Sequence, residues 1–160
     1  MKTLLLAYGN ADRQDDGAAW HTLQRFAAQF GLAYPEFPGD ETEAAGGSLV
    51  MLYLFQLLPE YAERIAVFER VLFMDAHNSS EMPAFTLKRV KPAEMRATFT
   101  HHMEASTLLE ICKTLYGHAP QAWMMTIKGN SFQFSRQVSE ETDKLVNMAV
   151  KKLSEFLGMQ

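Results

Sequence analysis

Three stretches of the chain carry side chains able to do chemistry together. The first is Gly9-Asn10-Ala11-Asp12-Arg13-Gln14-Asp15-Asp16-Gly17. Glycine-bearing loops between a strand and a helix often cradle phosphate. This one has neither the dinucleotide Gly-x-Gly-x-x-Gly nor the Lys-Ser/Thr ending of a P-loop. Its aspartates would repel phosphate at a helix start; they favour a cation, or simply cap the helix. Two adjacent aspartates cannot both be the one N-cap, so Asp15 could cap while Asp16 points elsewhere. The second stretch is Val71-Leu72-Phe73-Met74-Asp75. A carboxylate closing an apolar run is costly unless it is paired, ligates metal or sits exposed at a strand tip. His77 shares a side with Asp75 only if the strand continues to it. The third is His101-His102, of which at most one is expected to face a site.

One histidine with Asp16 and Asp75 makes a set suited to Zn²⁺, Ni²⁺ or Fe²⁺ with positions left open for water or a substrate ligand. The imidazole turns preference away from Mg²⁺ and Ca²⁺, which take oxygen shells. The plainer reading is that the acids are caps and strand ends and the histidines a surface pair. Nucleophilic hydrolysis has little support. Cys112 falls on the apolar stripe of a helix, and there is no Gly-x-Ser-x-Gly elbow and no His-Glu-x-x-His helix. Met124, Met125 and Met148 read as core filling.

These residues need a frame. Thr3 to Tyr8, Ser48 to Phe55 and Val71 to Asp75 are apolar runs of the kind buried on both faces of a parallel sheet. Ala122 to Ile127 is a fourth strand candidate, and Phe85 to Val90 alternates like a more exposed or edge strand. Trp20, Leu23, Phe26, Ala27 and Phe30 have helical spacing, stopped by Gly31. Leu58 to Ala66 reads as a short helix with Pro59 in its first turn. Met103 to Tyr116 carries the stripe Leu108, Cys112, Leu115, widened by Leu109, Ile111 and Tyr116, with Gly117 as the C-cap glycine. The last helix starts at Ser139 as N-cap, with Glu140 and Glu141 in its first turn, Lys151 and Lys152 towards its end, and the stripe Leu145, Met148, Ala149, Leu153, Phe156. Tyr34 to Gly47, rich in Pro, Gly and acids, reads as a mobile surface loop. The pattern predicts one α/β domain over residues 1–160: three layers, a mostly parallel five-stranded sheet, helices on both faces. Ligands in such folds bind beyond the carboxyl ends of the strands, where the first loop and Asp75 both fall.

Composition narrows the options. The chain has 160 residues, 15 Lys plus Arg against 19 Asp plus Glu, and a net charge of −4, which excludes a broad electrostatic grip on nucleic acid. One cysteine excludes a disulfide scaffold and a Cys-cluster metal site within one chain. No apolar run is long enough for a membrane span and no secretory leader is evident at the start. A soluble cytoplasmic protein is expected, with neither a membrane nor a nucleic-acid partner.

The ordered motifs resemble those of the NiFe-hydrogenase maturation endopeptidases over nearly the whole chain. Leu4-Leu5-Leu6-Ala7-Tyr8-Gly9-Asn10 with Asp15-Asp16-Gly17 resembles the family's opening of strand, Gly-Asn, spacer and Asp-Asp/Glu-Gly. Gln56 to Glu63 followed by Val71 to Ala76 resembles its helix and its strand ending in Asp-Ala. Thr100-His101-His102-Met103 before Leu108-Leu109 resembles its His segment. Leu115 to Pro120 and Thr126-Ile127-Lys128-Gly129 resemble its closing strand region. The sequence departs from the pattern at Ala7-Tyr8, Trp20 and Lys128-Gly129-Asn130.

The resemblance implies a twisted, mainly parallel sheet between helix layers. It implies metal recognition by Asp16, Asp75 and His101, with His102 as the fallback, the same three being the candidate catalytic residues. It implies nickel brought by the substrate rather than a resident cofactor. The expected partner is a hydrogenase large-subunit precursor that loses a short C-terminal peptide. The alternatives are a non-catalytic metal-sensing or assembly-binding module on the same fold, and a flavodoxin-like binder of small molecules or nucleotides.

Overall fold

A computed structural model describes residues 1–93 and 103–160. The apolar runs form the expected strands: β1 (Thr3–Tyr8), β3 (Leu49–Leu54), β4 (Arg70–His77) and β6 (Gln121–Lys128), with β5 at Phe85–Val90. A sixth strand, β2 (Glu41–Ala44), lies within the segment read as a loop. The sheet order is β2-β3-β1-β4-β6-β5. The four inner strands are parallel, and β2 and β5 run antiparallel to their neighbours at the two edges. The expectation of five strands is corrected to six. Glu41, Thr42, Glu43 and Ala44 include a single β-branched residue, Thr42, and no aromatic one, and this strand is exposed along one side. The Tyr34–Gly47 segment is also tied down: Gly39 N–H bonds Tyr53 O at 2.7 Å, Trp20 Nε1–H bonds Pro35 O at 2.8 Å, and Arg64 pairs with Glu41 at 2.7 Å.

Successive side chains of a strand face opposite ways, so each inner strand feeds two cores. Leu5, Ala7, Met51, Leu72, Met74 and Met125 pack against α1 (Ala18–Gln29) and α4 (Glu140–Leu157). Leu4, Leu6, Val50, Leu52, Val71 and Phe73 pack against α2 (Ala62–Ala66) and α3 (Ala105–Tyr116). This is the three-layer arrangement expected. Cys112 is a core residue, fully buried, its Sγ–H directed at Ala62 O. Gly117 ends α3 at φ 71°, as its position after the helix requires.

Two helix stripes differ from expectation. Leu115 and Tyr116 at the end of α3 and Met148 in α4 are exposed, while Val146 and Val150 take the buried face of α4. A helical period gives a face but not how far the neighbouring layer extends beneath it. Among the described residues no helix is long and apolar enough to cross a membrane.

Candidate active site

In the sheet order β1 sits between β3 and β4, so the chain winds away in opposite directions from β1 and β4. Such a reversal leaves a crevice beyond the strand ends. Here it is a cleft of about 1070 Å³. Asp16, from the loop after β1, and Asp75, near the C-terminal end of β4, both line it. Tyr8, Arg13, Phe55, Met103, Glu104 and Phe132 complete much of its wall.

The loop that delivers Asp16 is closely held. Gly9, at φ 135°, lets the chain turn out of β1, and a Cβ there would lie 2.2 Å from the carbonyl oxygen of Asp16. Asn10 N–H donates to Asp16 Oδ2 at 2.8 Å, and Asn10 Oδ1 accepts from Asp12 N–H at 2.9 Å. From beneath, the Tyr53 hydroxyl donates to Gly9 O at 2.9 Å and accepts from Ala11 N–H at 3.2 Å. One oxygen of Asp16 is thus occupied by its own loop, while the half-buried carboxylate still borders the cleft.

Asp75 Oδ1 accepts the N–H of Ala76 at 2.8 Å. Removal from water pushes its carboxyl up to about 7; the Ala76 bond opposes this, the nearby charge of Asp16 adds to it, and the Tyr8 hydroxyl opposes it. A buried acid whose ionisation is opposed by a neighbouring carboxylate is poised for a proton or a cation. Tyr8 is itself pushed upward, first by burial and then by the charges of Asp75 and Glu104. The strand does continue to His77, so that ring follows Asp75 on the same face. Both its nitrogens are engaged: Nδ1 accepts from Ser79 N–H at 3.2 Å and Nε2–H faces Pro83 O at 3.0 Å. His77 is a loop anchor rather than a free ligand.

His101 and His102 lie outside the described residues. Among the described residues no three His, Cys, Asp or Glu side chains gather as a metal-binding group. Of the expected trio, the structure brings Asp16 and Asp75 to one cleft. Met103, two positions after His101, lines it as well.

Asp15 does not cap the short 3₁₀ turn Gln14–Gly17 to which it belongs. It is fully buried and turned away from the cleft, towards the segment between β6 and α4. Ser139 occupies the N-cap position of α4, but its hydroxyl donates to Asp15 Oδ2 at 2.6 Å instead of capping its own helix. Sequence reasoning also missed Tyr8, Glu104 and Phe132 as cleft residues. Only the departure from small residues at Ala7-Tyr8 hinted at the first; nothing in a loop sequence announces that Phe132 will stand at a crevice opened by β1 and β4.

No protein-family profile matches the sequence, and no curated protein matches it. The solved structures do. The chain superposes on the hydrogenase maturating endopeptidase HybD from E. coli with a TM-score of 0.72 at 12% identity, covering 98% of this chain and 92% of that one. It matches the NiFe-hydrogenase maturation protease HybD from Thermococcus kodakarensis with a TM-score of 0.66 at 21% identity over 98% and 99% of the two chains. A hydrogenase 2 maturation peptidase from a Thaumarchaeota archaeon matches with a TM-score of 0.64 at 15% identity over the full length of both. The fold is therefore that of the hydrogenase maturation proteases, in agreement with the resemblance read from the sequence.

Proposed function

We propose that this protein is an endopeptidase that removes the C-terminal extension of a nickel-loaded hydrogenase large-subunit precursor. The observation that carries this reading is the meeting of Asp16 and Asp75 at one cleft, at the sheet's reversal point, in a fold shared with the maturation proteases. Asp16, Asp75 and His101 bind the nickel that the substrate brings; support for His101 comes from Met103, which borders the same cleft. Nickel is cargo of the substrate, and two carboxylates plus an imidazole suit its coordination chemistry.

Gripping the substrate through its metal holds the neighbouring peptide bond in the cleft. Such positioning can supply roughly 7–11 kcal/mol of a barrier when the geometry is right. Cleavage adds one water across the C–N bond, giving a new carboxylate on the large subunit and a free amine on the released peptide. Asp16 is the better candidate to take the water's proton, because it is carried by a loop at the cleft while Asp75, the more buried, sits near the end of a strand. The cytoplasm is the expected setting.

The test is to incubate the purified chain with nickel-loaded and nickel-free precursor and to read the precursor's mass. Loss of a C-terminal peptide only from the loaded form is the expected result. An unchanged mass, with a known maturation protease active in parallel, refutes the peptidase reading. Nickel-dependent binding without cutting would assign the chain to the non-catalytic module instead.

A further inference from the structure

Neighbouring aspartates in the first loop, Asp15 and Asp16, face different surroundings, and the backbone just before them is strained. Gln14 is at φ 52°, a left-handed conformation uncommon outside glycine that costs of the order of 1–3 kcal/mol. It persists only if its surroundings hold it. Asp15 supplies that hold. Its Oδ2 accepts the N–H groups of Asn130 at 2.8 Å and Ser131 at 2.9 Å, and the Ser139 and Thr142 hydroxyls lie at 2.6 and 2.9 Å. Its Oδ1 accepts Ser139 N–H at 2.7 Å. Burial would raise the Asp15 pKa; the bonds from Ser139, Asn130 and Ser131 together outweigh it and keep the carboxyl below its ordinary value. The backbone adds Gln14 N–H to Ser135 O at 2.8 Å and Asp15 N–H to Ser131 O at 3.1 Å. Gly129 is shaped to this contact, since a Cβ there would stand 3.0 Å from the Asp15 Cβ and 2.6 Å from Phe132. The same short segment thus receives Asp15 and carries Phe132 to the cleft wall.

We infer that Asp15 is a positioning residue, which by binding Asn130, Ser131, Ser139 and Thr142 holds the Gln14 turn so that Asp16 borders the cleft that Phe132 also lines. The inference rests on the reading of Asp16 as a ligand of the substrate's metal. It makes the β6–α4 segment part of the site's frame, although none of those four residues supplies a ligand.

The experiment uses the full chain carrying Asp15→Asn or Ser139→Ala. Asn offers an N–H₂ where donors already converge, whereas Ser139→Ala removes a single hydroxyl and keeps the variant foldable. Amide hydrogen exchange, Ni²⁺ titration by calorimetry and precursor cleavage are measured. The amides of Asn10 and Asp16 should exchange about 10-fold faster, with those of α3 unchanged, and Ni²⁺ affinity should fall about 10-fold, as for other outer-shell supports. The kcat should fall more than KM rises. Unchanged exchange across Asn10 to Gly17 in the folded variants overturns the inference. So does a rise shared equally by α3, which would mean general destabilisation. If the unsubstituted protein neither binds Ni²⁺ nor cuts, the protease reading fails while the exchange result still decides the role of Asp15.

Discussion

Gly9 and Asp16 are in backbone contact: a methyl group on the first would overlap the carbonyl oxygen of the second, 2.2 Å away. With φ at 135°, residue 9 also holds a conformation that side chains resist. Gly9→Ala should therefore lower stability by more than the roughly 1–3 kcal/mol of backbone strain alone. Gly39→Ala, at φ 94° with nothing within 4 Å of the new methyl, should show only the strain. Urea unfolding of the two variants checks the difference; equal losses would mean that the loop yields freely at Asp16.

Asp16→Asn and Asp75→Asn should each fold, because both side chains border solvent-filled space. Each should cut precursor on the order of 100-fold more slowly, the effect of misplacing a reacting group. Circular dichroism and cleavage rates measured together check this. Retention of near-full activity by either variant would remove that residue from the proposed metal grip.

Asp75 also predicts a pH dependence. Its folded pKa, about 7, stands above the ordinary value of 3.8. Between those values the folded state holds a proton that the unfolded state has lost, so stability declines as pH rises across the window. Asp75→Asn abolishes this contribution. The variant's melting temperature, measured against the parent from pH 4.5 to 8, should gain on it as pH rises. A gap that stays constant would show that Asp75 ionises normally.

Asp15 acts in the opposite direction. Its folded pKa lies below the ordinary value, so its stabilisation is complete above that value and is lost as pH falls through the folded one. Asp15→Ala leaves several buried donors without an acceptor, and near neutral pH a loss of about 3 kcal/mol or more is expected, at roughly 1–3 kcal/mol for each donor left unsatisfied. Acid should shrink the difference between variant and parent, as read from denaturant midpoints at pH 7 and pH 3.

Cys112 is shielded, and burial pushes its thiol up to about 11. It should resist a thiol-specific disulfide reagent in the native protein and react at once in denaturant. Fast native reaction would place it at a surface.

The frame was largely legible because apolar strands and glycine stops are local signals. Leu4, Leu5 and Leu6 must be buried on both faces wherever they occur, and Gly117 must follow a helix. That Asp16 and Asp75 border one cleft was legible at one remove, since both fall at strand ends. What escaped depends on partners distant in sequence. Asp15 is defined by Ser139 and Thr142, and no local rule separates a buried clamp from an N-cap. The Glu41–Ala44 strand is defined by β3, whose hydrogen bonds recruit a segment with no strand composition of its own. Leu145 and Met148 flank the Ala149 and Leu153 stripe on one side and Val146 and Val150 on the other, and only the neighbouring layer decides which flank is buried.

That inconspicuous strand has a protective consequence. All six residues of β3 are buried, and Leu-Val-Met-Leu-Tyr-Leu is a sequence prone to pair with copies of itself. Glu41 and Glu43 cover its open side with a short acidic border, a feature that discourages edge-to-edge association. A chain that lost this border would expose a sticky template, and its first symptom would be precipitation rather than a failure of catalysis.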